Sequence, residues 1–152
     1  MILRSGIRLV DIDDEVVETM ERYSKPPENE REAGGILIGS YRGPHVEILH
    51  CTVPLQKDRR RWGLFDRRDP GHQDEAMRRW QQSGRTMTFV GEWHTHPEPV
   101  PSPSFIDKMT WKRVAKRHRA GPVIFVIRGF EGWWWGMTQD KSTAILVPIM
   151  KP

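Results

Sequence analysis

The sequence predicts an α/β fold: a mixed, mostly antiparallel sheet with about three helices packed on it. Two observations carry that expectation. Short apolar, β-branched runs recur between turn residues, and capped segments with helical apolar spacing lie among them. A chain of 152 residues can bury one substantial core but not two, so residues 1–152 are expected to form a single domain.

In chain order, Met1 to Val10 holds a few apolar residues but neither the apolar core nor the cleavage site of a secretory signal. Asp13 to Ser24 carries Val16, Val17 and Met20 on one helical face, with an acidic start that can cap it and Lys25-Pro26-Pro27 to end it. Gly34 to Tyr41 and Val46 to Val53 are apolar runs joined by Arg42-Gly43-Pro44, which predicts an antiparallel hairpin. Asp69-Pro70 then supplies a cap and a first-turn proline. Met77 and Trp80 follow on one helical face, and Ser83-Gly84 closes the segment. Thr86 to His96 returns to strand character. Pro97, Pro99, Pro101 and Pro103 stiffen a loop that leads into a third helix from about Ser104 to His118. Pro122 to Arg128 and Thr143 to Ile149 are the last strands, and Trp133-Trp134-Trp135 between them suits sheet packing better than a binding platform.

Composition narrows the function. Hydrophobic residues at 37% and charged residues at 29% are ordinary for a soluble chain, and no apolar run nears the length of a membrane span. A cytoplasmic location is expected. The lone Cys51 cannot close an internal disulfide or build a cysteine-rich zinc site. The net charge of +4 comes largely from Arg59-Arg60-Arg61, Arg67-Arg68 and Arg78-Arg79. Asp58, Asp66 and Asp69 interleave with these arginines, which argues for a solvated face over a nucleic-acid surface.

The chemistry concentrates near the middle of the chain. In His94-Thr95-His96 at a strand end, both imidazoles point one way and Thr95 the other. Their Cα atoms lie roughly 6–7 Å apart, a span over which two rings can share one ion. Asp107, eleven residues beyond His96, can complete a two-histidine, one-carboxylate set that leaves a position for water, as in catalytic zinc sites. Ser104-x-x-Asp107 also reads as a helix capping box, and both roles are compatible. Hydrolysis needs a carboxylate to take a proton from the attacking water. Glu28, Glu30, Glu32 and Glu92 are all available, and spacing alone does not choose between Glu32 and Glu92.

The pattern Glu32-x-Gly-Gly-Ile-Leu-Ile-Gly39, His94-Thr95-His96-Pro97 and Ser104-x-x-Asp107 resembles the JAB/MPN domain and its JAMM metal motif over about Glu32 to Lys112. The resemblance implies Glu32 as general acid/base, His94, His96 and Asp107 as ligands of one Zn2+, and Ser104 as donor to the oxyanion. It leaves Glu92 a supporting place. Gly91 to Pro97 and Pro101 to Ser104 look most like the small bacterial branch, which includes deconjugating peptidases of CBASS anti-phage operons and proteins of integrative and conjugative elements. That likeness implies a protein substrate with an extended C-terminal tail, either a cGAS-like nucleotidyltransferase or another ubiquitin-like conjugate, attached by an E1/E2-like enzyme. Arg59, Arg60, Arg61 and His72, where relatives carry a substrate-contacting insertion, are expected to meet the tail. Trp111 is expected to face out of the third helix, although a core position is the plainer reading. Three alternatives stand beside this one. A JAB hydrolase could act on a sulfur-carrier protein or a small molecule, and a non-catalytic MPN scaffold would keep the fold alone. A zinc deaminase would need His-x-Glu and Pro-Cys-x-x-Cys, which are absent.

Overall fold

The computed structural model describes residues 1–149, so the last three positions of the expected domain lie outside the described residues. Eleven strands and three helices follow the chain. The strands are β1 (Ile2–Ser5), β2 (Arg8–Ile12), β3 (Gly34–Arg42), β4 (His45–Cys51), β5 (Arg59–Arg61), β6 (Leu64–Asp66), β7 (Thr88–Thr95), β8 (Val123–Arg128), β9 (Trp133–Gln139), β10 (Ser142–Ile145) and β11 (Val147–Pro148). The helices are α1 (Asp14–Tyr23), α2 (Gly71–Gln82) and α3 (Phe105–Arg117). Nine strands form one sheet in the order β10-β9-β8-β7-β3-β4-β2-β1-β11, and β5 with β6 makes a separate two-stranded hairpin. Only β2 with β4 and β7 with β8 run parallel among the described strands. The sheet is therefore mixed and mostly antiparallel, as predicted.

Both faces of the sheet are covered, which explains why β3 and β8 read as near-continuous apolar runs. On one face Leu37, Trp93, Ile124 and Val126 pack with Val16 and Met20 of α1. On the other, Ile36 and Ile38 meet Ala76 of α2, and Phe125 and Ile127 meet Trp111 and Ala115 of α3. Each such aliphatic side chain removed from water stabilises the fold by about 1.5–3 kcal/mol. The expected acidic cap holds at α1, whereas α2 starts one residue later than expected, with Pro70 at the N-cap position and no side-chain cap there. Asp13 accepts the Glu15 N–H at 2.9 Å, and Asp69 accepts the Gly71 N–H at 2.8 Å ahead of α2.

Several elements were not foreseen. β1 and β2 flank a two-residue turn in a segment with too few apolar positions to declare a strand, and β2 is recruited by parallel pairing to β4. The tryptophan run, by contrast, meets its sheet-packing expectation as strand β9. Trp133 and Trp135 stack on one face at 4.5 Å, while Trp134 stacks on Trp111 at 5.0 Å on the other. No helix among the described residues is long and apolar enough to cross a membrane.

At the far end of α3, the Tyr41 hydroxyl donates to the Pro122 carbonyl at 2.9 Å, so His118 Nε2, 2.8 Å away, must be the donor to the Tyr41 oxygen. Burial lowers the His118 pKa below its ordinary 6.5. Below about pH 6.5 the unfolded chain binds a proton that the fold refuses, so this contribution is present above that pH and is lost as pH falls. His118→Gln keeps the donor without titrating. Melting between about pH 7.5 and about pH 5.5 should cost the wild-type protein more stability than the variant, and equal losses would contradict the assignment.

Candidate metal centre and active site

Pairing of β3 on β7 brings the site together. Gly34 lies opposite His94. The Thr95 N–H donates to the Ala33 carbonyl at 2.8 Å, and the Thr95 hydroxyl accepts the Ala33 N–H at 2.9 Å. Continuing that register sets Glu32 across from His96, on the sheet face that carries α2 and α3. The approach is too close for side chains at two positions. A Cβ at residue 34 would lie 2.5 Å from the Phe65 ring and 2.6 Å from the Trp93 carbonyl, and one at residue 35 would overlap the Thr52 carbonyl.

His94 Nε2 and His96 Nε2 are 2.9 Å apart, and the two Asp107 carboxylate oxygens divide between them, Oδ1 lying 3.2 Å from His94 Nε2 and Oδ2 3.2 Å from His96 Nε2. Donors bound tetrahedrally at about 2.0–2.1 Å from one ion are separated by about 3.3 Å, so this set fits a single metal ion of zinc's preferences. Asp107 reaches it from the first turn of α3. It accepts the Ser104 N–H at 2.8 Å, while the Ser104 hydroxyl accepts the Asp107 N–H at 3.1 Å. The capping box and the ligand geometry coexist. The Ser104 O–H keeps its proton available for another acceptor.

Sequence reasoning overlooked Glu98. Its carboxylate lies 3.0 Å from His96 Nδ1, so that nitrogen donates to it and Nε2 is the nitrogen left to face a metal ion. The available signal was a carboxylate two positions after the second histidine. Burial disfavours a charged His96, yet hydrogen bonds to Asp107 and Glu98 outweigh it and raise the pKa to about 9. Burial also opposes ionisation of Asp107, and the two histidines nevertheless hold its carboxyl well below the usual range. Positive charge is thus favoured where the three donors meet. Glu32 is pushed up by burial and, to a lesser extent, by Asp107, against the lowering effect of both histidines. Glu92, on the same strand face, is ion-paired with Arg67.

Residues 15–140 match the family model described as prokaryotic homologs of the JAB domain. This chain belongs to that family. A Pseudomonas aeruginosa protein named "CD-NTase/cGAS isopeptidase" is 41% identical over 122 residues, which is 80% of this chain and 77% of that protein. An Escherichia coli protein of the same name is 41% identical over 128 residues, covering 84% and 80%. "Probable metalloprotease y4qB" of Sinorhizobium fredii is 26% identical over 146 residues, covering 89% and 88%. A Desulfitobacterium hafniense protein solved in solution shares the fold, with a TM-score of 0.66 at 19% identity over 93% and 92% of the two chains. The JAB-family chain is a metal-dependent peptidase.

Two expectations need correction, those for His72 and Arg60, while for Trp111 the plainer reading holds. His72 cannot meet a substrate, because it is fully buried: its Nε2 donates to Asp58 at 2.7 Å and its Nδ1 accepts from the Thr52 hydroxyl at 2.6 Å. Arg60 is turned inward, its Nε donating to the Glu32 carbonyl at 2.9 Å. Trp111 is core, stacked between Phe125 and Trp134 beside His94. Arg59 and Arg61 are exposed on β5, and Trp62 at the hairpin turn is 75% exposed. A cleft of about 730 Å³ runs from Glu32 and the histidines between this hairpin and α3.

Two outcomes follow from these contacts. Glu98→Ala should weaken metal affinity by about 10–100-fold, read by competition with a chromogenic chelator, and unaltered affinity would remove Glu98 from the site. His72→Ala leaves a buried carboxylate and hydroxyl unpaired. It should cost about 3 kcal/mol in denaturant unfolding, and a raised KM without lost stability would restore His72 as a substrate contact.

Proposed function

We propose that this chain is a zinc-dependent isopeptidase that cleaves the amide joining the C-terminus of a CD-NTase, a cGAS-like nucleotidyltransferase, to its conjugation partner. The observation that carries the reaction class is the convergence of His94, His96 and Asp107 on one point, with Glu32 across the strand pair. The substrate reading is supported by the relatives named "CD-NTase/cGAS isopeptidase". In the corresponding pathway an E1/E2-like enzyme would form the bond, and both steps would take place in the cytoplasm.

When bound, zinc supplies Lewis-acid polarisation of the scissile carbonyl and acidifies water. Glu32 takes a proton from the water that adds to the carbonyl carbon. The carbon–nitrogen bond then breaks, and Glu32 returns the proton to the departing amine. No covalent link to the chain is formed. Burial raises the Glu32 pKa above the ordinary 4.5, which suits a group that must release as well as accept a proton. Ser104, with its O–H uncommitted, donates to the oxygen that gains charge. Arg59 and Arg61 extend from the hairpin where an incoming tail would pass.

The test pairs the purified protein with a CD-NTase fused at its C-terminus to a reporter, with and without a chelator, and follows release by mass spectrometry. Cleavage directly after the native C-terminal residue, abolished by the chelator, is the expected result. Intact fusion beside stoichiometric bound zinc would overturn the substrate and favour a sulfur-carrier or small-molecule substrate. Glu32→Gln should lower turnover by about 10²–10⁴-fold with zinc retained, and loss of zinc together with activity would return Glu92 as the base. Charge reversal at Arg59 and Arg61 should raise KM with kcat preserved, and unchanged kinetics would exclude them from tail binding.

A further inference from the structure

We propose that Arg60 is a positioning residue for Glu32, holding the base through the backbone that carries it; this rests on the assignment of Glu32 as the base. The segment ahead of β3 has little regular structure of its own. A single 3₁₀ turn, Glu28–Glu30, precedes Arg31 and Glu32, and the sheet takes over only at Gly34. The polar attachments of Glu32 run instead to the β5–β6 hairpin. Its carbonyl accepts from Arg60 Nε at 2.9 Å, and its N–H donates to the Arg61 carbonyl at 2.9 Å.

Arg60 does more than close one contact. Its Nη2 donates to the Glu28 carbonyl at 3.1 Å and lies 3.7 Å from the Glu28 carboxylate, while the guanidinium sits 5.6 Å from the centre of the Tyr23 ring. One planar fork therefore ties together two carbonyls four residues apart, on either side of Arg31, and stacks the joint on the end of α1. The side chain is 12% exposed, so these bonds face little competition from water. A lysine carries the charge but has a single point of donation, and cannot hold both carbonyls in one plane. Neighbouring Arg59 and Arg61 point outward, so alternation along β5 separates an inward brace from two outward contacts. Catalysis by a carboxylate is sensitive to its placement, with a displacement of about 1 Å costing about 10²-fold.

The experiment compares Arg60→Met and Arg60→Lys with the wild-type protein on the fused CD-NTase, alongside zinc content and amide hydrogen exchange. Loss of the brace should lower kcat by about 10–100-fold in Arg60→Met and less in Arg60→Lys. KM and zinc content should be unchanged, the opposite split from reversal at Arg59 and Arg61. The Glu32 amide, bonded to the Arg61 carbonyl, should exchange at least about tenfold faster in Arg60→Met while β8 keeps its protection. If Arg60→Met loses zinc and protection throughout, Arg60→Lys decides: wild-type kcat there with a fast Glu32 amide, or loss of fold in both variants, overturns the proposal. So does wild-type kcat in Arg60→Met. A wild-type protein that leaves the fusion intact refutes the substrate reading alone. The exchange rate of the Glu32 amide still tests the brace in that case, and an unchanged rate overturns it.

Discussion

The register of β3 against β7 is the constraint on which the site depends. Side chains alternate along a strand, so a one-residue slip of β3 would send Glu32 toward α1 and leave the histidines facing a backbone without a carboxylate. Several contacts forbid the slip. Thr95 grips both polar backbone groups of Ala33, the missing side chains at Gly34 and Gly35 admit Phe65 and the Thr52 carbonyl, and Trp93 donates its indole N–H to that carbonyl at 2.8 Å. These attachments lie within a few residues of Glu32. The sheet thereby fixes one coordinate of the carboxylate, its side, while the hairpin fixes the other, its depth.

The hairpin itself is anchored by buried polar groups rather than by apolar packing. The Asp58 carboxylate accepts the N–H groups of Leu55, Arg68 and Asp69, each at 2.8 Å, and His72 Nε2 at 2.7 Å. His72 passes the connection to Thr52, whose oxygen accepts the Ile36 N–H at 2.9 Å inside β3. A carboxylate satisfied this fully is a stable buried group, whereas a half-satisfied one would be costly. The network joins both ends of the arginine-rich segment to the strand that follows Glu32. An exposed, highly charged loop can in this way carry a tightly placed backbone.

How much of this was legible in the sequence depends on the distance between partners. His94, His96, Ser104 and Asp107 are visible because strand alternation and a helix cap orient them locally. Gly34 and Gly35 announce a close approach without saying to what. The β5–β6 hairpin is invisible to periodicity, since Arg59-Arg60-Arg61 has no apolar face and pairs through its backbone. His72 was misread because its partners, Asp58 and Thr52, come from separate elements that only the fold brings together. Trp111 and Trp134 lie on a helix and a strand whose stacking no local window contains. Glu98 was within reach, two positions from His96, and needed only the question of which nitrogen bears the proton.

The three converging donors span fourteen consecutive positions, His94 to Asp107, within one strand–loop–helix unit. The contact that brings Glu32 alongside, Ala33 to Thr95, joins residues 62 positions apart. Closing the longer loop costs about 1 kcal/mol more in chain entropy and also requires the hairpin to be in place. Chelation is therefore a local event and competence a non-local one. Metal content would thus report on the strand–loop–helix unit alone, whereas turnover would also require the pairing of β3 on β7.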